Sequence, residues 1–245
     1  MYAKLRAMNY PRKLSALLVI ILVAVVSTVW AIRVQLPSGA PAYRFVSWNM
    51  LLALIPVIFA VLLDVGYASR KGLLRTVYLS LAGAIWLFFY PNTPYLITDM
   101  LHVVRQPWVA EGRFWMQITF WSHLLPMMLV GFCGIMLGYF SLESVRQLVR
   151  HSYGVLLSWT FTFIVLGLTS VGIYLGRFLR ANTWDMVMDP LLLYQQISSL
   201  LADAEAANHF MSGAGMFFMF LVTCYMFIWA ISHSGRATEH RSLDL

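Results

Sequence analysis

The sequence predicts an all-α fold: a polytopic transmembrane bundle of six helices, with one short amphipathic helix outside it. Three observations carry that expectation. Hydrophobic residues make up 60% of the chain and charged residues 11%, against about 45–50% and about 25% in soluble domains. So few charges cannot cover a soluble surface. The apolar residues also fall into long blocks, and roughly 18 or more in a row are what a bilayer core requires. Finally, the basic residues that give the 245-residue chain its formal charge of +7 lie in short segments between those blocks, the pattern that sets membrane orientation. A nucleic-acid binder would gather them on one element among aromatic residues, so no nucleic-acid partner is expected.

The first block, 14–32, follows Lys4, Arg6, Arg12 and Lys13. It is longer than the roughly 7–15 residues of a signal-peptide core, and no small-x-small cleavage site closes it. A retained helix is expected. The second block is 45–63 and contains Pro56. The third, 73–89, is short and runs into Tyr90-Pro91-Asn92-Thr93-Pro94-Tyr95, where two prolines should break the helix and open an outer loop, 90–113. The fourth, 114–140, is long enough to tilt or emerge, and Pro126 marks a place for a kink. The fifth is 153–176. Next, Asp189-Pro190 reads as an N-cap followed by a first-turn proline. Leu193, Ile197, Leu200 and Leu201 follow at helical spacing, which predicts the short amphipathic helix on the membrane surface or on the bundle. The sixth block is 210–231. Residues 1–13 then form a cytoplasmic N-terminal segment, 14–232 the membrane domain and 233–245 a cytoplasmic tail. Cys133 and Cys224 lie inside apolar blocks and read as packing residues.

Orientation follows from Lys and Arg in the short segments. With the N-terminus inside, eleven of the 17 basic residues and four of the ten acidic ones fall on the cytoplasmic side, leaving six of each outside. This predicts a multi-pass protein of a bacterial cytoplasmic membrane, with both termini cytoplasmic and membrane lipids as its neighbours.

The polar residues collect in three segments that this topology places at the outer face. They are Trp48-Asn49, Pro91-Asn92-Thr93-Pro94-Tyr95-Leu96-Ile97-Thr98-Asp99 with His102 one turn on, and Gly176-Arg177-Phe178-Leu179-Arg180-Ala181-Asn182-Thr183-Trp184-Asp185. Asn49 lies roughly 7 Å inside its helix at about 1.5 Å per residue, so its amide needs a partner from another segment. Candidate binding residues are Asn49, Asn92, Tyr95, Asp99, His102, Arg177, Arg180, Asn182, Trp184 and Asp185. The arginines offer planar forks suited to a carboxylate or phosphate, which points to an anionic or phosphate-bearing ligand such as a lipid headgroup. Snorkelling is the alternative for them, and interfacial anchoring is the first reading of Tyr95 and Trp184. Asp99, His102, Asp185 and His209 together have the donor types of a mixed oxygen–nitrogen metal site. The preferred reading pairs the two aspartates with Arg177 and Arg180, and neither metal nor cofactor is expected. His123, near the middle of the fourth block, is the main intramembrane ionisable candidate. Its desolvation cost predicts that it faces the bundle interior.

The same three segments resemble the bacterial membrane-protein family catalogued as domain of unknown function 1361, over about residues 45–232. The resemblance implies a multi-pass membrane protein and supplies no activity. Family members carry an acidic residue in the fourth helix where this chain has Trp121-Ser122-His123. Three functional classes follow from the residues. The first is a protein that binds or transports an anionic small molecule or lipid headgroup at an outward-facing polar site. The second is a membrane-embedded enzyme acting on a lipid-linked or envelope substrate, with Asp99 or Asp185 as acid/base. The third is a structural or assembly protein. No catalytic motif supports the enzyme. Transport lacks an internal repeat, and the inner halves of the apolar blocks look nearly free of charge.

Overall fold

The protein's computed structural model describes residues 10–36, 38–69, 71–106, 109, 112–180 and 188–241, with the backbone alone at 193 and 235–241. Six helices are long and apolar enough to cross a bilayer, and no strand occurs among the described residues. The chain divides into two compact units, Met1–Trp159 and Thr160–Leu245.

The first unit holds α1 (Tyr10–Arg33), α2 (Phe45–Ala68), α3 (Leu73–Phe89), the single turn α4 (Asn92–Tyr95), a 3-10 segment (Leu96–His102) and α5 (Ile118–Tyr153). Helix α5 is its axis: α1, α2, α4 and the 3-10 segment all pack on it, and α3 packs on α2. At about 1.5 Å per residue it is roughly 54 Å long, well beyond a core of roughly 30 Å. Pro126 and Pro56 sit inside helices that continue past them. Gly154, at φ +91°, ends α5. Along α2 the buried residues Val46, Met50, Ala53 and Val57 repeat every three or four positions, the spacing of one helix face. Leu18, Leu22 and Leu81 are largely exposed, which suits side chains that meet lipid.

The second unit holds α6 (Val155–Tyr174) from Thr160 onward, a π turn (Leu175–Leu179), α7 (Pro190–Ala202) and α8 (Ala204–Arg241). Helix α7 is the short helix expected after Asp189-Pro190. Its N-cap Asp189 accepts from the Leu192 amide at 3.1 Å, and Leu191, Leu192 and Leu201 are exposed. Helix α8 runs on through Arg241, into the segment read from the sequence as a tail.

Two sequence expectations change. The Pro91–Pro94 motif does not open a loop, because Tyr90 keeps helical torsions (φ −55°, ψ −39°) despite the bias against them before proline. The chain stays helical, in shifted and tightened turns, through His102. Side chains make this possible. Thr93 Oγ1 donates to the Tyr90 carbonyl at 2.9 Å and Asn92 Nδ2 to the Phe89 carbonyl at 3.0 Å, where proline offers no N–H. Secondly, α2 and α5 extend well past 63 and 140. Asp64, Glu143 and Arg146 are therefore buried helical residues, and this end of the first unit is charged, unlike the sequence expectation.

The tightened segment lies on a strip of glycines. A Cβ at Gly131 would meet Ile97 Cδ1 at 2.7 Å, one at Gly138 would meet Thr93 Oγ1 at 2.8 Å, and one at Gly134 would collide with the Thr93 carbonyl. Close backbone approach at small residues is how membrane helices pack. Gly134→Ala should therefore lower stability by about 1–3 kcal/mol, the usual cost of overpacking. Gly83→Ala, where a Cβ meets nothing within 4 Å, should not. Melting in detergent, followed by fluorescence-detected size exclusion, compares the two.

Candidate functional site

The first two polar segments meet in the first unit. Asn49, one turn into α2, donates from Nδ2 to Asp99 Oδ2 at 2.8 Å. Asp99 is only 1% exposed. It reaches that place because the Pro91–Pro94 turns bring the 3-10 segment across α5. His102 faces its own turn, with Nδ1 3.1 Å from the Asp99 carbonyl, and its ring lies 4.4 Å from that of Phe45. Gln106 Nε2 donates to the His102 carbonyl at 3.3 Å. Phe45 in turn meets Tyr43 edge-on at 6.3 Å.

Tyr43 precedes α2, and its hydroxyl lies 2.8 Å from His123 Nδ1. Both residues are buried. His123 thus faces the interior of the first unit, and its partner comes from the segment between α1 and α2 rather than from a helix. Burial pushes the Tyr43 phenol up to about 12, against a smaller opposing pull from Gln106. The phenol is neutral at physiological pH. Its contribution to stability is complete below its unfolded value of about 10 and is lost as pH climbs through about 12.

Asn92 serves the break rather than a surface, as described above, and Thr98 Oγ1 donates to the Tyr95 carbonyl at 2.7 Å. Tyr95 is half-buried. Arg177 and Arg180 belong to the second unit. Arg177 is half-buried in the π turn, and Arg180 is exposed and left-handed at φ +56°. Beside them in that unit, the Tyr174 hydroxyl lies 2.7 Å from His209 Nδ1, and the Tyr174 ring stacks on Phe178 at 4.6 Å. Asn182, Trp184 and Asp185 fall outside the described residues. Among those described, no three His, Cys, Asp or Glu side chains gather in a way that could hold a metal ion.

The sequence reading missed the polar contacts at the other end of the first unit. Arg146 grips Glu143 with Nε and Nη2 at 2.8 and 2.7 Å, Gln147 adds a third bond to Glu143 at 3.0 Å, and the guanidinium lies 4.7 Å from the Trp159 ring centre. Asp64 accepts from Lys13 and from Ser144. Ser141 ties three helices with one hydroxyl, accepting from Trp86 Nε1 at 2.8 Å and donating to the Pro56 carbonyl at 3.0 Å. A usable signal was present: Val65-Gly66-Tyr67-Ala68 continues the apolar pattern beyond Asp64.

Asn49→Ala should destabilise the protein by about 1–3 kcal/mol, because it leaves a buried carboxylate short of a donor. Tyr43→Phe should flatten the loss of melting temperature between about pH 10 and pH 12. Melting curves across alkaline buffers measure the second effect, and an unchanged slope would remove Tyr43 from the account.

A family model described as "Protein of unknown function (DUF1361)" matches residues 48–229. The match takes in all three polar segments. No curated protein and no solved structure matches the chain. With well over half of its residues inside the match, the chain belongs to the family of proteins of unknown function designated DUF1361.

Proposed function

We propose that this multi-pass protein resides in a bacterial cytoplasmic membrane, with both termini in the cytoplasm, and binds a phosphate- or carboxylate-bearing ligand at its outer face. The loop charges support the orientation, since basic residues favour the cytoplasmic side. The observation that carries the ligand reading is the arginine turn. The π turn Leu175–Leu179 closes on a left-handed, exposed Arg180, with half-buried Arg177 three residues before it. Single π turns are frequent at functional sites, and a left-handed residue other than glycine invites the same inference. Exposed His209, held by Tyr174 and 5.2 Å from the ring of Phe178 in the turn, adds an imidazole to it.

A second reading concerns the first unit. Asn49, Asn92, Thr93 and Thr98 all have bonds within the protein, which favours a structural role for this layer. The two readings assign different jobs to different residues, so they can be tested apart.

Reporter fusions at Gln106 and Ala206 should behave as external, and one after Leu245 as cytoplasmic. A cytoplasmic signal at Ala206 would reverse the orientation. For the ligand, native mass spectrometry of protein purified from anionic-lipid nanodiscs should show retained acidic lipid that falls in Arg177→Ala and Arg180→Ala but not in Asn49→Ala. Titration with inorganic phosphate in zwitterionic nanodiscs distinguishes a free anion from a headgroup. Equal retention in all variants, with no phosphate binding, would end the anion reading.

A further inference from the structure

The end of the first unit that carries Lys13 holds a second cluster, which the proposed ligand site does not use. Asp64 on α2 is 1% exposed. Lys13 Nζ, from α1, lies 3.2 Å from Asp64 Oδ2 and donates to Ser144 Oγ at 3.0 Å. Ser144, from α5, donates to the same Oδ2 at 2.5 Å. Tyr10, one turn before Lys13, stands beside the carboxylate. Asp64 Oδ1 and the Tyr10 hydroxyl are both buried, and neither makes a hydrogen bond of good geometry among the described residues, although the hydroxyl lies close enough to the carboxylate to interact with it.

The neighbouring ion pair shows what a closed arrangement looks like. Both oxygens of Glu143 are taken by the Arg146 fork, and Gln147 adds a third bond. Asp64 is held differently, through one oxygen and by a lysine. Lysine is a point charge on a flexible stem that can withdraw to water, whereas arginine is a rigid, permanently charged fork. Two other cations of this end are engaged elsewhere: Arg146 with Glu143, and Arg75 of α3 over the Tyr67 ring at 4.9 Å. Among the described residues, Lys13 is the cation facing Asp64, with Tyr10 and Ser144 as the carboxylate's other polar neighbours. A hard metal cation would demand more oxygen ligands than Asp64, Ser144 and Tyr10 offer. A proton needs one, and Oδ1 supplies it.

We propose that Asp64 is a proton-exchange site with Lys13 as its resident counter-cation. A proton from the adjoining aqueous phase adds to Oδ1 and converts the carboxylate to the neutral acid. Lys13 keeps its own proton, loses its anion and moves out to water, which frees the start of α1 from α2 and α5. Release of the proton restores the pair. Ionisable groups within membrane spans serve as relays of this kind, and a one-point lysine contact gives the site two states.

Dicyclohexylcarbodiimide, which modifies protonated carboxyl groups in apolar surroundings, tests this on the full-length protein in lipid nanodiscs. The readout is the mass of the peptide carrying Asp64. In the wild type, modification of Asp64 should rise several-fold on acidification. Lys13→Met should bring comparable modification at neutral pH, Lys13→Arg should keep it low, and Asp64→Asn should abolish the adduct. Modification that is the same at every pH in the wild type, or no greater in Lys13→Met than in the wild type, would overturn the proposal and leave a fixed ion pair. If Lys13→Met does not elute as a single species on size exclusion, the wild-type pH series together with Lys13→Arg decides the matter.

Discussion

Backbone polar groups in a bilayer have no water to turn to, so each must find a partner within the protein. Pro91 and Pro94 strain that constraint twice within one turn. Each withholds an N–H, and an interior proline costs a helix about 3 kcal/mol. The motif around them answers locally. Asn92, Thr93 and Thr98 each place a side-chain donor on a nearby carbonyl. At about 0.5–1.5 kcal/mol apiece, the three bonds are together comparable to the penalty of one proline. The glycine strip of α5 then lets the tightened turns approach its backbone. Asp99 and His102 occupy their positions because of that approach, and the contacts to Asn49 and Phe45 follow from it.

Much of the fold was legible because a bilayer asks a simple question of a sequence. Apolar length locates six helices, and Asp189-Pro190 locates the short one before the last of them. That Asn49 must look to another segment for its partner was legible too, although Asp99, which fills that role, was assigned from the sequence to Arg177 or Arg180. The prolines misled for a physical reason. They indicate which backbone bonds are lost, but not that Asn92 and Thr93 stand ready to replace them. Asp64 was hidden by the rule that ends a membrane helix at its first charge. That rule assumes the charge meets water, and here it meets Lys13 and Ser144 from two other helices.

The polar groups of the first unit divide by the freedom they retain. Around Arg146 and around Ser141, the contacts close a geometry: a fork on a carboxylate, a hydroxyl between an indole and a carbonyl. Such contacts fix register. Around Asp64, the two well-formed bonds both fall on one carboxylate oxygen. Buried charge pairs contribute little net stability once desolvation is counted, so the closed pairs and the open one differ chiefly in how many arrangements they permit. In the second unit the arginine turn stands apart again, since its distortion is in the backbone itself.

The triple junction at Ser141 also orders events during synthesis. Trp86 and Pro56 leave the ribosome well before Ser141, so the indole N–H of α3 enters the bilayer with no Ser141 hydroxyl to meet it. Asp64 and Tyr43 wait in the same way for Ser144 and His123. All these partners sit on α5. The first three helices are thus insertion-competent by apolar length but polar-incomplete until the fourth long span arrives. Any factor that guards nascent membrane proteins would find its longest window there, between the emergence of α3 and the docking of α5.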